Sequence, residues 1–333
     1  MPAYWMISNR AIKNGAPTAD RGPLKFYVSD SAPLDNFSNW QLVSTDAFKK
    51  LLIGAVDTFP ALAHGQNEKQ SHVTFFVHGY NNGWDDAARR YQKLCADLYS
   101  GPNSLGICIS FDWPSLGSVL GYLPDREHAR DCAGDLVDVF SQLYDWMMEK
   151  QQAAANDPAD ACKAKISVIA HSMGNYVVQK AMAAAWTRKN QPLLVSLINQ
   201  LVMVAADVDN DLFEPSASDG SEGNALANFT YRITALYSGR DAVLGASAGL
   251  KHFGTRRLGR SGLAVRPPTG KDNAWDVDCS SFFPDSVAGM DIHSEYFQTV
   301  GVITLMRDIL RGVDRLVLES LGETKGDAWP PAN

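Results

Sequence analysis

A serine, an aspartate and a histidine can together break an acyl bond, and this chain offers all three near the ends of expected strands. The serine is Ser172, in the sequence Ala170-His171-Ser172-Met173-Gly174. A serine hydroxyl is a poor nucleophile at neutral pH until a histidine accepts its proton and a carboxylate orients that histidine. The chemistry that these residue types support is acyl transfer through a covalent intermediate.

Ser172 lies on an expected sharp turn between a strand and a helix. The apolar run 166–169 is rich in β-branched residues and predicts a buried strand, whereas the apolar positions after Gly174 keep helical spacing. Such a turn strains the backbone of the serine and accepts only small residues two positions away, here Ala170 and Gly174. Ala170 stands where the usual motif has glycine. The alternative interpretation is a serine that only caps a helix.

A second expected strand, 73–77, ends in His78-Gly79-Tyr80-Asn81-Asn82-Gly83, and a helix is expected over 85–99. Gly79 lets the backbone turn sharply, so the N–H of Tyr80 is expected to face the space above Ser172. With the N–H of Met173 it would form a two-donor oxyanion hole. An ordinary strand-to-helix loop is the alternative.

The histidine and the carboxylate are sought downstream of Ser172, because nucleophile, acid and histidine follow in that order when the serine lies on such a turn. Only His252 and His293 follow it, and His293 is favoured because it comes after the last expected strand. Asp241 directly follows a strand and is the leading acid. Asp207 is the second candidate, and Asp291 is interpreted as the start of a helix.

The remaining pattern predicts the elements that position these residues. Alternating strands and helices indicate an α/β fold with a doubly wound, mostly parallel sheet, and two early strands are expected to form an antiparallel edge. No long linker divides residues 1–333, so a single domain is expected. Segments 214–228 and 245–270 are expected to be loops. The expected strands are 5–8, 24–28, 73–77, 106–113, 166–169, 201–206, 233–238 and 275–280, and the main helices 85–99, 127–150 and 295–318.

Composition excludes several classes of function. The formal net charge of -7 argues against nucleic-acid binding. A basic cluster in a Gly-rich stretch is expected to be a solvated loop, with a binding site for an anionic partner as the alternative. The sequence shows no metal-ligand spacing and no membrane-spanning apolar run, and a signal peptide is not expected. Five cysteines without paired spacing favour reduced thiols in the cytoplasm. The cluster consists of Lys251, Arg256, Arg257, Arg260 and Arg266.

Three motifs resemble bacterial α/β-hydrolases of unassigned function, which are relatives of esterases and lipases: AHSMG at 170–174, FVHGYNN at 76–82 and FDWPSLGSVLGYLPDREHA at 111–129. The resemblance covers about residues 70 to 315. It implies the α/β-hydrolase fold, no cofactor, and Ser172, Asp241 and His293 as the catalytic triad. HGYN differs from the HGGG oxyanion motif of one lipase branch, so the substrates of that branch are not implied.

The sequence therefore predicts a serine hydrolase that cleaves small-molecule carboxylic esters. Amide or thioester cleavage by the same triad, and a non-catalytic binding scaffold, are the alternatives. The segment 115–126 is expected to form a cap or flap over the acyl pocket, and Tyr122 is expected to confine that pocket to small or medium acyl groups. A purely structural flap is the competing interpretation.

Overall fold

A computed structural model describes residues 1–60, 69–80, 82–116, 122–157, 162–188, 197–251 and 254–330. Within these ranges the chain forms one nine-stranded sheet in the order β3-β2-β1-β5-β4-β6-β7-β8-β9. The strands are β1 Tyr4–Lys13, β2 Ala16–Ser29, β3 Gln41–Val43, β4 His72–Val77, β5 Gly106–Asp112, β6 Lys165–His171, β7 Ile198–Val204, β8 Thr230–Tyr237 and β9 Ala274–Asp278.

Helices cover both faces of this sheet, and their apolar sides form two core layers. The long helix Tyr122–Asn156 and the helix after Ser172, Gly174–Arg188, pack on one face. Helices Trp84–Leu98 and Val300–Arg311 pack on the other. The helices are α1 Thr45–Asp57, α2 Trp84–Leu98, α3 Tyr122–Asn156, α4 Gly174–Arg188, α5 Gly220–Phe229, α6 Ala242–Lys251, α7 Leu258–Ser261, α8 Ile292–Glu295, α9 Val300–Arg311 and α10 Arg315–Ser320.

The sheet is parallel from β1 through β5, β4, β6, β7 and β8 to β9, and only β2 and β3 run antiparallel to their neighbours. All six residues of β4 are buried, which explains why most of its side chains are apolar. Val77 at the end of β4 pairs with Phe111 on one side and Ala170 on the other. The carboxyl ends of the central strands therefore meet at one edge, and the expected doubly wound, mostly parallel sheet is confirmed.

Two expected loops contain helices. The Ser- and Gly-rich segment 214–228 includes most of α5, because its glycines allow close packing: a Cβ at Gly223 would lie 1.9 Å from the carbonyl oxygen of Leu212. The segment 245–270 includes most of α6 and all of α7. The expected closing helix is divided by Gly312, which ends α9 in the left-handed region at φ 83°.

The expectation of a solvated basic loop is wrong for three of its arginines. Arg257 is fully buried and forms ion pairs with Asp207 and Asp209. Arg260 donates to the main-chain carbonyl of Asp241, and Arg266 forms ion pairs with Asp276 and Asp327. Their positive charge serves internal contacts, which composition alone does not reveal. Arg256 is exposed, as expected.

Candidate active site

Ser172 occupies the strained turn between β6 and α4. Its φ is 53°, in the left-handed region that a residue with a Cβ rarely adopts, and its side chain is buried. A Cβ at Gly174 would lie 2.5 Å from the carbonyl oxygens of both Val77 and His78, so only glycine fits there. Asn175 stabilises the turn, since its Nδ2 donates to the carbonyls of Ala170 at 2.9 Å and Ser172 at 3.1 Å.

His293 and Asp241 continue a line of hydrogen bonds from this serine. The Nε2 atom of His293 lies 2.8 Å from Oγ of Ser172, and its Nδ1 lies 2.7 Å from Oδ2 of Asp241. Asp241 follows β8 and His293 lies in the short helix α8. Since a carboxylate only accepts, Nδ1 carries the proton and Nε2 is free to accept the proton of the serine hydroxyl. The structure thus brings together the three side chains that chain order selects.

The carboxylate of Asp241 is itself held in place. It is fully buried, and its Oδ1 accepts a hydrogen bond of 3.0 Å from the main-chain N–H of Leu244 in the first turn of α6. A helix N-terminus favours negative charge, so this hydrogen bond suits a buried carboxylate. The arrangement leaves Oδ2 to face His293.

The other candidates lie in different surroundings. Asp207 is engaged by Arg257, whose Nε lies 2.9 Å from its Oδ1, and by the hydroxyl of Ser247 at 3.0 Å. Asp291 is exposed and precedes α8, in agreement with its interpretation as a helix start. His252 lies outside the described residues.

The loop after β4 packs closely against Ser172. A Cβ at Gly79 would lie 2.6 Å from Cβ of Ser172, so glycine is required for this approach. Met173 directly precedes α4, where main-chain N–H groups have no acceptor within the helix. Tyr80 lines the same cavity as Ser172, and burial raises the pKa of its phenol to about 12. The pairing of the Tyr80 and Met173 N–H groups as an oxyanion hole stays a prediction.

A buried brace holds this loop from the amino-terminal strands, and sequence reasoning missed it. Arg10 on β1 places its Nε 2.9 Å from Oδ1 of Asp112 and donates from Nη2 to the carbonyl of Asn82 at 3.2 Å. Trp113 donates from its indole N–H to the carbonyl of His78 at 2.8 Å. Burial alone would raise the pKa of Asp112, but Arg10 and His78 lower it to about 2. No local pattern marks Arg10, because its partners are far along the chain.

Sequence reasoning also missed the two hydrogen bonds of the His171 ring. Its Nε2 lies 2.8 Å from the carbonyl oxygen of His293, and its Nδ1 lies 2.8 Å from Nη1 of Arg90. Burial, with the neighbouring Arg90 and His293, holds the pKa of His171 well below its usual range. A neutral His171 with its proton on Nε2 satisfies both contacts, because Arg90 can only donate.

Ser172 and His293 open into a cavity of about 560 Å³, which is the size of a small-molecule site. Its wall includes Tyr80, Arg90 and Phe297. The side chain of Tyr122 and residues 117–121, which the cap hypothesis requires, lie outside the described part of the chain. Among the described residues, no group of three or more histidine, cysteine or acidic side chains is placed to hold a metal ion.

The sheet and the strained serine turn define an α/β hydrolase. Residues 62–276 match the family described as alpha/beta hydrolase of unknown function (DUF900), and this match covers more than half of the chain. The chain belongs to that family, which confirms the resemblance seen in its motifs. A search of curated protein sequences gives no match.

Several solved structures are similar at low identity. The esterase of Pyrobaculum calidifontis is 12% identical over 73% of this chain and 76% of its own, with a TM-score of 0.35. Carboxyl esterase 2 of Tuber melanosporum is 13% identical over 73% of this chain and 79% of its own, with a TM-score of 0.36. A predicted CIB-like hydrolase of Thermoplasma acidophilum is 13% identical over 76% of this chain and 90% of its own, with a TM-score of 0.35. In the part of the chain that is described, no helix is both long and apolar enough to cross a membrane.

Proposed function

We propose that this protein is a serine hydrolase that cleaves carboxylic esters with small or medium acyl groups through an acyl-enzyme intermediate. The observation that carries the proposal is the continuous hydrogen-bonded line from Ser172 through His293 to Asp241 at the wall of a cavity. The hydrolase fold alone would not support this function, because proteins with the same fold can lack catalytic activity.

The chemistry follows from the proton positions. In the first step Oγ of Ser172 attacks the ester carbonyl carbon while Nε2 of His293 takes the hydroxyl proton. Asp241 stabilises the imidazolium that forms, and the N–H groups of Tyr80 and Met173 are suited to stabilise the oxyanion. The tetrahedral intermediate then expels the alcohol, which receives the proton from His293, and leaves an acyl group on Ser172.

Deacylation repeats these roles with water. His293 takes a proton from a water molecule, the resulting hydroxide attacks the acyl carbon, and the carboxylic acid leaves as Oγ of Ser172 regains the proton. Amides and thioesters can follow the same course. The cavity volume of about 560 Å³ supports small or medium acyl groups. The unbroken sheet supports the further proposal that residues 1–333 form a single domain.

A fluorophosphonate probe tests the nucleophile. Wild-type protein should be labelled covalently, whereas Ser172→Ala should not. Ser247→Ala is the matched control and should still be labelled, because Ser247 also lines the cavity but donates its hydroxyl to Asp207. Equal labelling of Ser172→Ala and wild type would overturn the assignment. A panel of matched ester, amide and thioester substrates then identifies the preferred bond, and a labelled protein that cleaves none of the esters would overturn esterase activity.

A further inference from the structure

Arg90 projects from α2 into the wall of the cavity that holds Ser172. Its Nη1 donates to Nδ1 of His171 at 2.8 Å and its Nη2 donates to the hydroxyl of Ser294 at 3.0 Å. Its guanidinium carbon lies 5.5 Å from the centre of the Phe297 ring. These groups fix the orientation of the guanidinium without cancelling its charge.

The other charged groups of this wall already have partners. Arg89 forms ion pairs with Asp35 at 3.1 Å and Asp86 at 2.7 Å, and Lys93 forms one with Asp97 at 2.9 Å. Among the described residues, no carboxylate lies within 4.0 Å of the guanidinium of Arg90. Burial lowers the pKa of Arg90 to about 10, although nearby Asp86 opposes the shift, so the side chain still carries its charge at neutral pH.

Arg90 is half-buried. A cation that is partly removed from water and has no counter-ion is costly, and an anion that enters the cavity would offset that cost. The guanidinium presents paired N–H donors in a planar fork, which matches the two oxygens of a carboxylate. It is also close to the reacting atoms: the His171 ring that it contacts lies 4.9 Å, centre to centre, from the ring of His293. One small molecule is therefore long enough to contact both Arg90 and Ser172.

We propose that Arg90 binds a free carboxylate of the substrate, so that the preferred esters carry a second, ionised carboxyl group. This inference rests on the proposed esterase function and specifies its substrate class. The carboxylate could belong to the acyl part or to the alcohol part of the ester, and the two cases are distinguished by the choice of test compounds.

The test compares esters that differ only in charge. Monomethyl glutarate and methyl 4-carbamoylbutanoate place a carboxylate or its neutral amide isostere on the acyl side. The anion of 3-acetoxypropanoic acid and its neutral amide, 3-acetoxypropanamide, place the same two groups on the alcohol side. Wild-type protein should prefer the carboxylate of one pair by about tenfold or more in kcat/KM, the size expected for a charged hydrogen bond. A ratio near 1 in both pairs would overturn the inference.

Variants assign the preference to Arg90. Arg90→Gln should reduce the carboxylate-to-amide ratio to about 1 or below, and Arg90→Lys should restore part of it because the charge returns. Arg130→Gln, at an exposed site on α3, removes one charge that does not line the cavity and should keep the wild-type ratio. The ratio is measured within each variant, so a general loss of activity does not obscure it. If Arg90→Gln does not fold, the test uses the carboxylate-to-amide ratios of the wild type and of Arg90→Lys. A wild-type ratio near 1, or an unchanged ratio in Arg90→Lys, would then contradict the assignment to Arg90.

The outcomes separate this inference from the function on which it rests. Without probe labelling of Ser172, and without hydrolysis of any ester, the proposed function fails. Labelling and hydrolysis with equal rates for charged and neutral esters would leave the esterase proposal standing and remove the carboxylate site. An equal loss on both esters in Arg90→Gln would show that Arg90 only supports His171 and Ser294.

Discussion

The Nε of Arg257 lies 2.9 Å from Oδ1 of Asp207, and both side chains are buried. Asp207 is also close to Ser172, since its main-chain N–H donates to the carbonyl of Ser172 at 3.1 Å. Two carboxylates thus lie near Ser172, but one has an arginine as its partner and the other has His293. Their different partners predict different consequences of mutation.

Asp241→Asn should lower kcat by a factor on the order of ten thousand with little change in stability, because the amide cannot hold the required tautomer of His293. Asp207→Asn should instead lower the free energy of unfolding by about 3 kcal/mol, because it weakens a buried ion pair. Steady-state kinetics and urea unfolding of both variants test this. A collapse of kcat in folded Asp207→Asn, with near-native turnover of Asp241→Asn, would exchange their roles.

Gly79→Ala should reduce kcat by about 100-fold or more, because its new Cβ would lie 2.6 Å from Cβ of Ser172 and displace the loop that carries the proposed oxyanion donor Tyr80. Gly134→Ala is the matched control: no atom lies within 4 Å of the place that its Cβ would take, and the site is exposed on α3. The control should gain about 0.5 to 1 kcal/mol of stability from its helix propensity, with wild-type kinetics. Unimpaired turnover of Gly79→Ala would contradict the role of this loop.

Arg10→Met should lower the free energy of unfolding by about 3 to 5 kcal/mol, since it leaves the buried carboxylate of Asp112 without its arginine. It should also reduce kcat more than it raises KM, because the brace on Asn82 positions the loop and does not contact substrate. Arg21→Met on β2 removes an exposed ion pair with Asp135 and should cost at most about 1 kcal/mol.

A double variant tests whether the Arg10 effect comes from the pair. Adding Asp112→Asn to Arg10→Met should cost less than the sum of the two single variants, because no uncompensated buried charge remains. Strict additivity, or an equal kcat loss in Arg21→Met, would argue against the brace.

Acid should destabilise the protein through His72. Burial, with Lys165 and Arg311, lowers its pKa from 6.5 to about 3, so the unfolded chain binds the proton more readily than the native state. The native state is therefore favoured above pH 6.5 and loses stability as the pH falls from there toward 3, by up to about 1.4 kcal/mol per pH unit. Urea unfolding at several pH values measures this slope.

His72→Gln isolates that contribution. Asp276 acts in the opposite direction, because its raised pKa of about 6 favours the native state as the pH falls toward 3.8. Comparing wild type with His72→Gln cancels this effect and leaves the contribution of His72. The variant should show the shallower loss of stability between pH 6 and pH 4. Parallel curves for the two proteins would exclude His72 as the source.

Local sequence determined the elements whose signals are themselves local. The small residues around Ser172 predict the turn because the strain is set by chain neighbours, and the apolar runs of β4 and β6 predict buried strands. Segment 214–228 shows the limit of such signals. Its glycines resemble those of a loop, yet they permit a helix to pack against the backbone of Leu212.

Only the tertiary structure decided which charges meet. Chain order ranked Asp241 above Asp207, but the hydrogen bond to His293 and the ion pair with Arg257 depend on residues 52 and 50 positions away. Arg90 meets Ser294 across 204 positions, so no window of sequence could reveal it. Strand and turn preferences arise between chain neighbours, whereas the partner of a buried charge is chosen by the packing of the whole fold.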